Sequence, residues 1–165
     1  MRQVDASQWD LFTLKLEPRG SPEPFVTGPL FAGYPAFSPD GRWVAYESAE
    51  TGPRQVHVRP YPGLTPRVTV STTGGRAPFW SHDGRELFYL RGQEVWSAAV
   101  LPGSEFRHGP PQHLFAADFL PTDTLRLSLS AAPDGKRFLA VRPQPRERAE
   151  RLLVYAPNWI EEVER

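Results

Sequence analysis

The stretch Phe37-Ser38-Pro39-Asp40-Gly41-Arg42-Trp43-Val44-Ala45-Tyr46 is written three times in this chain. It returns as Trp80-Ser81-His82-Asp83-Gly84-Arg85-Glu86-Leu87-Phe88-Tyr89 and as Ala131-Ala132-Pro133-Asp134-Gly135-Lys136-Arg137-Phe138-Leu139-Ala140. Each copy has the chemistry of a tight reversal. Pro39 presets φ, Asp40 can accept from the backbone that follows it, and Gly41 takes the positive φ that closes the turn. A β-run follows each Asp-Gly pair, so the chain is expected to fold as repeated antiparallel hairpins.

Composition enters where it removes alternatives. Nineteen prolines and 13 glycines in 165 residues work against long helices and for short strands joined by turns. That length suffices for one domain with its own core. Basic and acidic residues number 19 each, with none of the basic excess that a nucleic-acid binder carries. The absence of cysteine removes disulfides, thiolate metal sites and a Cys nucleophile. No apolar run approaches 18 residues, and the first 30 residues hold no apolar core flanked by basic residues. The sequence as given therefore reads as having neither signal peptide nor membrane span.

Along the chain, Trp9 to Leu16 alternates Phe12, Leu14 and Leu16 with Leu11, Thr13 and Lys15, the pattern of a strand, and Pro24 to Thr27 reads as its short return. The first full unit then offers Pro35–Phe37, Arg42–Ser48, Gln55–Arg59 and Arg67–Ser71 as four short strands. The second offers Ala77–Trp80, Leu87–Leu90, Glu94–Val100 and Gln112–Phe115, with Pro102 to Pro111 as a loose connection. The third has Leu125–Ser130, Arg137–Val141 and Leu152–Ala156, the last two separated by the solvated loop Pro143 to Glu150. Asn158 is placed to cap a short helical turn, with Glu161 at the reciprocal position.

Asp40 and Asp83 lie 43 residues apart, and Asp83 and Asp134 lie 51 apart. Four strands per roughly 40–50 residues is the period of a propeller blade. Both faces are apolar in Trp43–Tyr46, Leu87–Leu90 and Phe138–Val141, as expected of sheets packed between two neighbours. The expectation is an all-β fold, a partial six-bladed propeller of four-stranded antiparallel blades, in one domain over 1–165. Residues 1–33 would end a preceding blade, 34–76 and 77–124 would be full blades, and 125–165 an incomplete last one.

The Ser-Pro-Asp-Gly-Arg turn with its apolar strand resembles the WD-like repeat of TolB-type six-bladed propellers. The ordered set Phe37–Tyr46, Gln55–Gly63, Gly74–Tyr89, His108–Phe115 and Asn158-Trp159 resembles more closely the C-terminal half of one kind of propeller. That kind is carried by bacterial eukaryotic-like serine/threonine kinases and by some winged-helix regulators. His82 in place of the turn proline, Ala131 in place of the aromatic, and Pro157 in the last strand depart from the pattern. No kinase motif is present, so the resemblance implies a sensor or scaffold that binds a peptide, glycan or small molecule without turnover. It also implies a parent that is membrane-anchored with an extracytoplasmic propeller; the compartment is otherwise unassigned.

Candidate chemistry reads as structure. His82-Asp83 beside Ser81 lists the members of a triad, but neighbours along one strand end point apart, so a turn variant is expected. His57, His108 and His113 lack metal-ligand spacing, and His57, between Val56 and Val58, is expected to face outward. Thr72-Thr73-Gly74-Gly75-Arg76 could cradle an anion; an inter-blade turn with a salt-bridging Arg is the simpler reading. Asp40, Asp83 and Asp134 read as turn residues, and Phe37, Trp43, Tyr46, Trp80, Phe88 and Tyr89 as inter-blade core. No catalytic, cofactor-binding or metal-binding residue is assigned, and no cofactor is expected.

Two functional classes stay open: a non-enzymatic binding or sensory propeller, which is preferred, and a substrate-gating propeller fragment of a prolyl oligopeptidase-type hydrolase. A truncated reading frame without a function of its own is a third. A kinase domain upstream or an α/β-hydrolase domain downstream would separate the first two. The expected partners are a protein or small-molecule ligand, with no nucleic acid and no membrane contact by this chain. Because a half ring exposes apolar faces, the chain is further expected to pair as a homodimer completing a ring, the Trp9–Leu16 strand helping to complete the partner's last blade, or to be stable only within a longer parent.

Overall fold

The structure is a computed structural model, and it describes residues 9–116 and 129–141. The expected strand Leu152–Ala156, the loop Pro143 to Glu150, Pro157 and the Asn158 cap lie outside those residues. Among the described residues every regular element is a β-strand. A two-stranded N-terminal sheet, β1 (Leu11–Thr13) and β2 (Glu23–Val26), comes first. A four-stranded meander follows, with β3 (Ala32–Phe37), β4 (Trp43–Ser48), β5 (Gln55–Pro60) and β6 (Val68–Thr69) in sequence order.

The second full sheet holds β7 (Arg76–Trp80), β8 (Glu86–Arg91) and β9 (Glu94–Leu101). Its outer strand comes in two pieces, β10 (Arg107–His108) and β11 (Gln112–Ala116), which pair with successive stretches of β9. Gly109-Pro110-Pro111 separates the pieces, because neither proline can donate to the ladder. A two-stranded C-terminal sheet, β12 (Leu129–Ala131) and β13 (Phe138–Ala140), closes the described chain. All pairings are antiparallel.

The period-2 alternation of the second strands sorts their side chains onto two covered faces. In β4, Trp43 and Ala45 enter one apolar cluster and Val44 and Tyr46 another. In β8, Leu87 and Tyr89 join Trp43 and Ala45, whereas Phe88 and Leu90 turn to a third cluster with Leu129. The sheets therefore stack in chain order with one apolar layer between each neighbouring pair. Burying each Val, Leu or Phe of these layers contributes roughly 1.5–3 kcal/mol, so the layers dominate the stability. Trp80 adds a polar tie between the full sheets, its Nε1 donating to the Ala36 carbonyl at 2.9 Å.

The Asp-Gly turns are built as their residues dictate. Gly41, Gly84 and Gly135 have φ of 72°, 70° and 66°. Ser38 Oγ donates to Asp40 Oδ1 at 2.6 Å and accepts from the Trp43 N–H, while Asp40 Oδ1 accepts from the Arg42 N–H. Ser81, Asp83, Arg85 and Glu86 repeat the same set. In the third copy Ala132 has no hydroxyl to give; Asp134 still caps the Lys136 N–H, and it engages the Arg137 guanidinium instead.

Several expectations need correction. The first strand is three residues, not eight; its ladder to β2 ends at Thr13, and Phe12, Leu14 and Leu16 are exposed. His57 is buried rather than outward, because the face opposite Val56 and Val58 is also covered. Phe37 is 54 % exposed although it stands where Trp80 packs in the second sheet. The connection from Pro102 to Pro111 is not loose: it contains β10 and buries Phe106 against Trp43 and Trp80.

Candidate functional site

The first two Asp-Gly turns come together. Gly84 lies against the Pro39 ring, with an added Cβ falling 3.4 Å from Pro39 Cδ. Both turns line one cleft of about 810 Å³, closed on its other side by Ala99 to Phe106 at the end of β9. Its floor is apolar: Pro39, Val100, Leu101, Pro102 and the edge of the Trp43–Phe106 pair, whose rings meet at 5.5 Å. Its rim carries Asp40, Asp83, Arg42, Arg85 and Glu105.

The rim charges are unequally committed. Arg42 is held three ways: its Nε on Asp40 Oδ2 at 2.7 Å, its Nη1 on the Gly103 carbonyl at 3.3 Å, and its guanidinium over the Trp43 ring. Partial burial pushes the Asp40 carboxyl up, but hydrogen bonds from Ser38 and Arg42 outweigh this and hold it down at about 2. Asp83 is likewise lowered, chiefly by the Ser81 hydroxyl. Arg85 stands 3.7 Å from Asp83 with most of its side chain in solvent. Arg42 and Arg85 are matched by Asp40 and Asp83 within their turns, and Glu105 stands outside both pairs, with the Arg107 guanidinium nearby on the Pro102 carbonyl at 3.1 Å.

The triad written in sequence does not assemble. Ser81 and Asp83 bond each other inside the turn, and His82 is exposed beside them. The Gly74 and Gly75 N–H groups, which could have cradled an anion, go to Gln55 Oε1 at 3.2 Å and the Arg54 carbonyl at 3.0 Å. Gly75 is required by a close approach: an added Cβ would sit 2.8 Å from Ser71 Cβ and 3.0 Å from the Tyr89 ring. His108 lays one ring nitrogen 3.3 Å from the Thr69 carbonyl of the neighbouring sheet, and His113 packs on Trp96. Among the described residues no group of three or more metal-ligating side chains converges.

Two buried polar constellations flank the first full sheet. On the face toward the second sheet, the fully buried Glu47 carboxylate binds Arg54 Nη1 at 2.7 Å and the Ala77 N–H at 3.0 Å. Ala77 carries a φ of 49°, and Tyr34 shows the same left-handed backbone (φ 53°) at the equivalent bulge of β3; both precede proline. On the other face, Arg59 Nε donates to the Tyr46 hydroxyl at 2.7 Å, and Glu50 pairs with Arg59 and Arg67. Burial raises the Tyr46 hydroxyl above its usual range. His57 Nδ1 meets Thr69 Oγ1 at 3.1 Å, while its Nε2 has no partner. Burial, with Arg67 adding to it, lowers its pKa to about 4.

Sequence reasoning missed the cleft as a unit. Its two turns were legible, but Glu105 and Phe106 sit in a Pro/Gly-rich stretch without periodicity. The aromatic at 106 was the one available signal. Neither a protein-family model nor a curated protein matches this chain.

Proposed function

We propose that this chain is a non-enzymatic binding module, the C-terminal half of a TolB-like six-bladed propeller of the kinase- or regulator-linked kind, whose ligand docks in the rim cleft. The observation that carries the reading is the cleft itself. It is assembled from two copies of the repeat turn, with charged groups arranged over an apolar floor beside Trp43 and Phe106. Such a combination orients a ligand through few polar contacts while burying its apolar part.

The hydroxyls of the two turns argue for binding over turnover. Ser38 and Ser81 spend theirs on Asp40 and Asp83 within the turns, and a carboxyl held near 2 is a poor proton donor at neutral pH. The stack of sheets in chain order, with β4 and β8 each covered on both faces, supports the propeller architecture.

Glu105, the one carboxylate lining the cleft outside the two turn pairs, favours a short basic peptide segment over an acidic one. Fluorescence anisotropy with labelled basic, neutral and acidic peptides tests this. Basic peptides should bind best, and Glu105→Lys should weaken them about tenfold, a loss near 1.4 kcal/mol. Binding indifferent to peptide charge and to Glu105→Lys, or cleavage of the peptides, would overturn the reading.

A further inference from the structure

The two-stranded sheets at either end of the described chain are not equivalent to each other; they are complementary halves. In the full sheets the Asp-Gly turn joins the first strand to the second, β3 to β4 and β7 to β8. The Asp134-Gly135 turn joins β12 to β13 in the same way, with the matching Ala132 N–H to Arg137 carbonyl bond at 2.8 Å. The C-terminal sheet therefore consists of a first and a second strand.

The N-terminal sheet consists of a third and a fourth. In the first full sheet the residue before its third strand, Arg54, accepts at its carbonyl from the Gly75 N–H that leads into the next sheet (3.0 Å). Trp9, ahead of β1, accepts in the same way from Ala32 (2.8 Å). The neighbouring side chain repeats too: Gln55 Oε1 accepts from the Gly74 N–H at 3.2 Å, and Asp10 Oδ1 from the Gly28 N–H at 3.3 Å. By these two bonds β1 stands where β5 stands and β2 where β6 stands. Val26 and Val70, each just past the fourth-strand ladder or at its end, are buried alike.

We infer that a second copy of this chain completes both sheets, β13 of one copy pairing antiparallel with β1 of the other to give β12-β13-β1-β2. The register follows from β4 and β5, where Val44, Ala45, Tyr46 and Glu47 face Arg59, Val58, His57 and Val56. Transferred through the repeat, Phe138 faces Leu14, Leu139 faces Thr13, Ala140 faces Phe12, and Val141 faces Leu11 of the second copy.

The faces then agree without adjustment. Leu139, 76 % exposed, occupies the position at which Ala45 and Phe88 are buried; with Val141 it turns toward the cluster that holds the second copy's Leu11 and Val44. Phe12 and Leu14, more than half exposed, turn toward the cluster that already holds Phe138 and Ala140. Four exposed apolar side chains and two strand edges that have no neighbour among the described residues are covered by one pairing. Each copy would contribute two full sheets and two halves, so a two-fold pair makes a closed ring of six. The closed number rests on the propeller reading above; the strand pairing does not.

The test uses the full chain, which has no native cysteine. Sedimentation should show a dimer at micromolar concentration. Thr13→Cys with Leu139→Cys should give disulfide-linked dimers under mild oxidation, whereas Thr13→Cys with Ala140→Cys, displaced by one residue onto the opposite face, should cross-link at least several-fold less. Phe12→Asp and Leu139→Asp should each weaken dimerisation at least tenfold, while Leu64→Asp, on an exposed loop, should not. Circular dichroism of each variant separates a lost dimer from a lost fold. A folded monomer at every concentration, an open polymer, or a dimer insensitive to both Phe12→Asp and Leu139→Asp would overturn the pairing. In the monomer case the chain's own remaining residues would be what covers these edges. Peptide binding at the cleft lies away from β1 and β13 and can survive or fail independently.

Discussion

The two faces of the first full sheet are made by the same four strands, yet among the described residues only one of them is finished. Toward the second full sheet, Trp43, Ala45, Val56 and Val58 are buried, and the one charge, Glu47, has a partner on each carboxylate oxygen. Toward the N-terminal pair, Val44 and Tyr46 are buried, but Phe37 is left half in solvent and His57 keeps an unpartnered nitrogen. The difference lies in the neighbour. A four-stranded sheet supplies side chains and backbone donors along the whole face; a two-stranded one reaches only part of it. The repeat sets where a residue points, and the neighbouring sheet decides whether it is satisfied.

The finished face breaks most severely at Glu47. Glu47→Ala strands the buried Ala77 N–H and empties a fully buried side-chain site, while Arg54, half in solvent and stacked on Phe31, loses an ion pair that water can replace. A loss of about 3 kcal/mol is expected, from the stranded donor and the emptied space together. Urea denaturation at fixed protein concentration measures it, and Glu47→Gln, which keeps an acceptor for Ala77, should recover at least half. A Glu47→Ala cost below about 1 kcal/mol would mean that the carboxylate is not what joins the two sheets.

The unfinished face should show itself in acid. His57 is lowered from 6.5 to about 4, so between those values the unfolded chain binds the proton that the folded one refuses. Stability from this group is complete above pH 6.5, falls as the pH drops, and is gone near pH 4. At 1.36 kcal/mol per pH unit the swing is about 3 kcal/mol at most. His57→Phe removes the titration, and the wild-type minus variant difference in unfolding free energy between pH 7 and pH 4.5 reads it directly. Parallel pH profiles for the two proteins would show that His57 protonates freely in the fold.

Much of this comparison was legible beforehand. The Asp-Gly turns, the four strands of the first sheet and both apolar faces of β4 and β8 follow from turn chemistry and alternation, although the first strand starts earlier than Pro35, at Ala32, and the fourth is only Val68–Thr69 where Arg67–Ser71 is expected. His57 was misread because alternation presumes one wet face; a polar residue between two valines means outward only if nothing covers the other side. Phe37 was misread for the converse reason, since hydrophobicity states a preference for cover and not its presence. The outer strand at β10 was hidden by prolines, and a two-residue ladder leaves no period to detect. The cleft was unreadable because it joins residues from two repeats with a loop that repeats nothing.

Close approach on the finished face gives a third, smaller effect. Gly75→Ala places a methyl 2.8 Å from Ser71 Cβ and 3.0 Å from the Tyr89 ring, and neither is the free end of a flexible side chain. Overpacking of this kind costs about 1–3 kcal/mol. Gly28→Ala, where an added Cβ meets nothing within 4 Å, is the control and should stay within about 0.5 kcal/mol of wild type. Equal losses in the two variants would attribute the effect to backbone freedom rather than to space.

The smallest expected change is at Ala77, and it separates strain from packing on the finished face. Its φ of 49° is a conformation that glycine adopts without penalty and alanine does not, a difference of about 1 kcal/mol. Its methyl is also buried in the cluster with Phe79, Phe88 and Leu129, and removing one buried methyl costs a similar amount, about 0.8 kcal/mol. Ala77→Gly keeps the N–H that Glu47 holds, so the two terms are left to oppose each other, and the net change should lie within about 0.5 kcal/mol of zero. In a double variant with Glu47→Ala the strain is no longer held in place by the carboxylate, and the Ala77→Gly change should shift by at least 0.5 kcal/mol, a coupling measurable by a double-mutant cycle. Strict additivity would mean that the backbone is bent by Pro78 and the bulge alone, and that Glu47 only fills a vacancy the bend creates.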